Sequence, residues 1–136
     1  MADAFNPPGV IEPFGIFSNA AWQPPGRVLH IAGQVAWDAG GKLVGKADIR
    51  AQTRQTLINI RNILASVGGT MGDIVSVNVF VTEMAGLKAI HEVRAEFFEK
   101  PYPASTLIAV AGLVDPEMLI EINAVAVIPE DRAKRP

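Results

Sequence analysis

At 136 residues with 49% hydrophobic side chains, the chain suits one domain with a real core and is too apolar for a disordered segment. A net charge of -2, with Lys and Arg gathered only in the tail Arg132-Ala133-Lys134-Arg135, argues against an electrostatic nucleic-acid surface. The lack of cysteine excludes disulfides, thiolate metal sites and cysteine nucleophiles, the two histidines (His30 and His91) show no metal-ligand spacing, and no apolar run reaches the roughly 20 residues that cross a bilayer.

No metal, no cofactor and no membrane partner is therefore expected. The N-terminus shows no basic segment followed by an apolar stretch, so a cytoplasmic location is the default. The whole chain, 1–136, reads as a single domain, with 1–13 as an N-terminal arm and 129–136 as a tail.

In chain order, the Pro-rich arm leads to a short strand through Phe17-Ser18-Asn19-Ala20-Ala21 and a turn at Gln23-Pro24-Pro25-Gly26. Arg27 to Val35 alternates as a strand, and Gly33 within it marks a bulge or a close approach of backbone. Asp38 to Lys42 is a turn, with Leu43-Val44 a short return strand. Trp37 before that turn is placed to wall a cleft, with ordinary packing as the plainer role. Asp48 is placed to cap a helix in which Ile49, Thr53, Leu57, Ile60, Leu64 and Val67 follow helical spacing, closed by Gly68-Gly69. Its Arg50, Arg54 and Arg61 read as a solvated face.

Ile74 to Val81 is a strand with Val75, Val77, Val79 and Val81 on one side. Thr82 is placed to cap a second helix, about Met84 to Phe98, which Pro101 and Pro103 cannot continue. Two closing strands follow, about Ser105 to Val110 and Leu119 to Ile128, joined at Asp115-Pro116. Two helices cover only one face of a sheet of this size. The other face must be solvated, polar or covered by a partner subunit, and the valine row with the mixed rows of the last strand fits the partner reading.

Glu121 stands inside the apolar run Met118 to Val125. A carboxylate there is costly to bury without partners, so it is either a satisfied structural acid or a site acid.

The series of short motifs resembles the RidA family, also called YjgF/YER057c/UK114 or endoribonuclease L-PSP. The matching pieces are Phe17-Ser18-Asn19-Ala20, Ile31-Ala32-Gly33-Gln34-Val35, Gly41-Lys42-Leu43-Val44-Gly45, Asp48-Ile49 and Gln52-Thr53. They continue with Gln55 to Ile60, Val79-Phe80-Val81-Thr82, Glu96-Phe97-Phe98, Pro103-Ala104 and Ile120 to Ala124. The resemblance implies a chorismate-mutase-like α+β domain, with about six strands in a mixed sheet and two helices on one face. It also implies a homotrimer with small-molecule sites in clefts between subunits. Enzymes of the family are hydrolases, deaminating reactive imines or enamines to carbonyl compounds and ammonia.

By the resemblance, Glu121 is the catalytic acid that positions water, and the ligand is lined by Phe17, Ala32, Gly33, His91, Ser105, Thr106 and Leu107. Three of these depart from the family pattern. Ser105 replaces an arginine that grips the substrate carboxylate, Phe17 replaces a common tyrosine, and His91 stands where asparagine is frequent. Serine cannot replace the two parallel, charge-assisted bonds of a guanidinium, each worth about 1.5–3 kcal/mol. The ligand is then neutral, bulkier, or anchored elsewhere, by His91 or Arg94. On this reading Ser105→Arg would tighten the hold on small 2-keto acids. For His91 the plainer role is packing, and for Arg94 a surface ion pair.

The resulting expectation is a small-metabolite-binding trimer with imine or enamine deaminase as its candidate activity. The alternative is a non-catalytic ligand-binding or chaperone-like trimer. The ribonuclease reading in the family's older names lacks a basic aromatic surface or a histidine pair.

Overall fold

Among the described residues, six strands and two α-helices form, in an order that puts the last strand near the middle of the sheet. The computed structural model describes residues 2–136. The strands are β1 (Asp3–Phe5), β2 (Ala20–Trp22), β3 (Arg27–Gln34), β4 (Ile74–Val81), β5 (Ala104–Ala109) and β6 (Ile120–Ile128). The helices are α1 (Ile49–Ser66) and α2 (Leu87–Arg94). The mixed sheet has four strands in the order β3-β6-β4-β5, and β1 and β2 form a separate antiparallel ribbon.

The ribbon is the first departure from the sequence reading. The arm is pinned, because Asp3 to Phe5 pair in register with Trp22 to Ala20. Phe5 stacks on Trp22 at 6.2 Å between ring centroids. The strand expected from Phe17 begins only at Ala20, as β2, while Ser18 makes only an isolated bridge to Ala104. Likewise Leu43 makes only a bridge to Trp37.

β6 shows how pattern becomes layer. Side chains alternate across a strand, and Ile120, Ile122, Ala124 and Ala126 are buried in the core beneath the helices. Glu121, Asn123 and Val125 are half-buried on the opposite face. β4 repeats the division. Val77, Val79 and Val81 belong to the helix-covered core, so the valine row is not a partner face. A register irregularity between Ile74 and Ser76 turns Ile74 inward as well and sends Val75 to a small cluster with Ala2 and Val127. The uncovered face carries instead Asn78 and Phe80 of β4, opposite Asn123 and Glu121.

α1 starts where Asp48 caps it, its carboxylate accepting from the Ala51 N–H at 3.1 Å. It ends at Gly68, whose φ of +81° is costly for any residue with a side chain. Arg50 and Arg54 pair with Glu92 and Glu96 at 2.6 and 2.7 Å, and Arg61 lies over the Phe97 ring. The face read as merely solvated thus tethers α1 to the α2 region. The second helix is shorter than its apolar pattern. A 3-10 turn, Met84–Gly86, precedes α2, and neither has a side-chain cap. Thr82 does not cap it.

Gln52 fixes the approach to β6. It is fully buried in α1, donates to the Gly45 and Glu117 carbonyls, and accepts from the Leu119 N–H at 2.8 Å. Two of these bonds, to Glu117 and Leu119, hold the loop that delivers Glu121, and the third ties that loop through Gln52 to Gly45.

Candidate functional site

β5 runs parallel to β4, joined through α2, and Ser105 pairs with Val77 while Leu107 pairs with Val79. Ser105 and Leu107 thus share the helix-side face. There they meet Phe14, Phe17, Met84, Leu87, His91 and Arg94, which together line a cavity of about 240 Å³. Of the residues singled out from sequence, Phe17, His91, Ser105 and Leu107 are brought together. Phe14 stands edge-on to Phe17, with centroids 5.3 Å apart, and 72% of it is exposed at the mouth.

Arg94 is the decisive residue. Its side chain is 1% exposed, not a surface ion pair. Nη2 donates to the Ser105 hydroxyl at 3.2 Å, and the guanidinium lies 5.8 Å from the Phe98 ring centre. Among the described residues, no carboxylate forms a salt bridge with it. Burial pulls its pKa down to about 10, still well above neutrality, so it stays a cation. A buried charge without an ion-pair partner is expensive, which makes Arg94 a candidate functional residue. The sequence did carry a signal: Ile90, Arg94 and Phe98 fall at i, i+4 and i+8, which puts an arginine in the apolar stripe of the helix.

His91, one turn earlier, accepts the Ile16 N–H at Nδ1 across 3.2 Å. Its neutral form must then carry its proton on Nε2. Burial, and then the charge of Arg94, hold its pKa below the usual histidine value, which favours that neutral form. Gly15 packs against the imidazole so closely that a Cβ there would collide with the ring.

Glu121 lies elsewhere. It is opposite Phe80 on β4, on the uncovered face of the sheet. Its carboxylate covers Gly33, whose missing side chain leaves room for it. The register of β3 against β6 breaks between Ile31 and Gln34, so the expected bulge is present and Gly33 is part of it. Thr106, opposite Asn78, is on the same uncovered face by strand alternation, and neither it nor Ala32 lines the cavity. The predicted residues therefore divide: Phe17, His91, Ser105 and Leu107 on one side, Gly33, Glu121 and Thr106 on the other. One chain cannot bring Glu121 to a ligand beside Ser105.

Gly33 instead borders a second, more open cavity of about 560 Å³ with Gln34, Trp37, Asn59 and Ile63. Trp37, 39% exposed, walls that cleft rather than packing inside. Asn59 holds its floor by donating to the Val35 and Trp37 carbonyls at 3.0 and 2.8 Å.

The expected effect of Ser105→Arg also changes. The space beside Ser105 already holds a guanidinium, and a second would meet like charge.

Residues 10–128 match the family model described as Endoribonuclease L-PSP. Among solved structures, the chain is 42% identical to YyfB from Yersinia pestis, described as a protein of unknown function of the conserved Rid family. That match has a TM-score of 0.86 and covers 93% of this chain and 98% of that one. The chain is also similar to Rv2704 of the YjgF/YER057c/UK114 family from Mycobacterium tuberculosis, at 30% identity, 82% and 86% coverage and TM-score 0.66. RidA from an Antarctic Psychrobacter matches at 29% identity, 86% and 92% coverage and TM-score 0.70.

Proposed function

The chain belongs to the endoribonuclease L-PSP family, the Rid proteins, and on that premise we propose that it binds a small metabolite in clefts between copies of itself and hydrolyses an imine or enamine there. The observation that carries this reading is the cavity beneath Ser105, where Phe17, His91 and Leu107 converge around a buried cation. The placement of Gly33 and Glu121 on the opposite sheet face supports a composite site. One copy offers the cavity and the neighbour offers the carboxylate, as in the homotrimer that the family resemblance implies.

In the proposed reaction, water adds to the imine carbon while Glu121 of the neighbouring copy accepts a hydrogen bond from it. The carbon–nitrogen bond then breaks, the carbonyl forms, and nitrogen leaves as ammonia after taking up the water's protons. The roles for this chain are orientation and water placement, which need no cofactor.

The test uses an amino-acid oxidase to generate 2-imino acids in the presence of the purified protein, following ammonia release. Acceleration over buffer that is lost in Glu121→Ala is the expected result. A protein that binds ligand without accelerating release would be a binding module instead.

A further inference from the structure

The stretch matched by the family model stops at residue 128, and the residues after it do not trail into solvent. Arg132 holds the Asp73 carboxylate and the Gly68 carbonyl, and the Lys134 N–H donates to the Val67 carbonyl at 2.9 Å. Gly68 is fitted to this contact, since a Cβ there would strike the Arg132 carbonyl. The tail is therefore docked across the end of α1, beside β3, which is an outer strand of the sheet. Between tail and strand lies a cleft of about 450 Å³, the size of a small-molecule site.

Two kinds of side chain line the cleft. Val28, Leu29, Val67 and Ile128 make an apolar floor, and Arg27, Lys134 and Arg135 place three cations around it. Val28 is 41% exposed, so the floor is open to a ligand. No acidic side chain lines the cleft, and Glu130 and Asp131 of the same tail are not among its walls. Among the described residues, none of the three cations is in an ion pair. The end of α1 does not claim their charged heads either, because its Val67 and Gly68 carbonyls accept from the Lys134 backbone and from Arg132. A cleft lined by one sign of charge concentrates ions of the other sign, and an apolar floor beneath it rewards a hydrocarbon chain.

We infer that this cleft binds a free amphiphile made of a single alkyl chain and an anionic head, with a doubly charged phosphate monoester held most tightly. The chain lies on Val28, Leu29, Val67 and Ile128, and the head meets Arg27, Lys134 and Arg135. The cleft shares no residue with the cavity beneath Ser105, so the inference does not depend on imine hydrolysis.

The test is titration calorimetry of the full chain at low salt, where charge is least screened, with octyl phosphate, 1-octanol and inorganic phosphate. Octyl phosphate is expected to bind at least roughly tenfold tighter than either of the others, because only it uses floor and cations together. In NMR spectra its addition should shift the signals of Val28, Leu29 and Val67. Arg27→Gln, and Lys134→Gln with Arg135→Gln, keep the backbone bonds of the tail. Each should weaken octyl phosphate about tenfold and leave 1-octanol unchanged. Vesicles of phosphatidylglycerol should not sediment the protein at physiological salt. The inference is overturned if 1-octanol or inorganic phosphate binds as tightly as octyl phosphate, if the variants bind it like wild type, if the shifts fall elsewhere, or if millimolar octyl phosphate does not bind. Sedimentation with vesicles in the absence of octyl phosphate binding would assign the cations to a membrane surface and likewise overturn it.

Discussion

The guanidinium of Arg94 donates to the Ser105 hydroxyl across 3.2 Å with its side chain all but sealed from solvent. Ser105 is thus held by an arginine from the neighbouring helix.

Arg94 is expected to be dispensable for stability. A buried cation lacking a carboxylate partner is poorly compensated, and an apolar side chain of similar volume is often neutral or better by about 1–4 kcal/mol. Arg94→Met should leave the urea midpoint unchanged or raise it, whereas Arg94→Ala, which opens a void beside Phe98, should cost about 2–5 kcal/mol. A sharp loss in Arg94→Met would mean that the guanidinium holds the fold together.

Gly15→Ala should act on the cavity at a distance from it in sequence. The added methyl collides with the His91 ring, so the ring must turn away and release the Ile16 N–H. Thermal stability should fall by about 1–3 kcal/mol, the cost of overpacking. The His91 imidazole resonances should move in an NMR spectrum. Unchanged resonances would show that the backbone, not the ring, gives way.

Much of this arrangement was legible in the sequence. The alternation in β4 and β6, the Asp48 cap and the Gly68 stop fixed the sheet and α1, because burial and backbone conformation act within a few residues. Glu121 and Ser105 were placed on the right strands. What stayed hidden depends on pairing between distant segments. Asp3 to Phe5 become a strand only because Ala20 to Trp22 lie beside them. The inward turn of Arg94 needs the Ile90 and Phe98 spacing to outweigh the charge, and its polar neighbours Glu92 and Glu96 pointed to solvent. That Ser105 and Glu121 occupy opposite faces follows from a register through β4 that no single strand contains.

Protonation of His91 should destabilise the fold at mildly acid pH. Burial, followed by the Arg94 charge, lowers its pKa in the folded state. As pH falls, the unfolded chain takes up the proton first, near the usual value of about 6.5. Stability is therefore full above that pH and declines below it, until pH passes the lower folded value. Urea midpoints between pH 5 and 7.5 should show this slope in wild type and a shallower one in His91→Gln. Equal slopes would assign the dependence to another group.

The Asp73–Arg132 pair should matter in the opposite sense of charge. Burial alone would raise the Asp73 pKa, but hydrogen bonds from Arg132 and the Thr70 N–H outweigh it and the carboxyl sits below its usual value. Arg132 reaches both carboxylate oxygens at 2.7 and 3.0 Å and also the Gly68 carbonyl. Arg132→Met should lower stability at neutral pH, because it takes the guanidinium away from the Asp73 carboxylate. The difference from wild type should shrink as pH falls below about 4 and the carboxyl protonates in the unfolded and then the folded chain. A pH-independent difference would indicate lost packing of the tail rather than the ion pair.

Subunit complementation tests the composite site most directly. Arg94→Met and Glu121→Ala copies, each unable to hydrolyse an imine alone, are mixed in equal amounts, unfolded and refolded together. If the cavity of one copy works with the Glu121 of its neighbour, random association leaves roughly a quarter of the sites with both halves intact, and that share of wild-type ammonia release returns. If the mixture releases no more ammonia than its parents, the two halves do not meet across an interface and the account is contradicted.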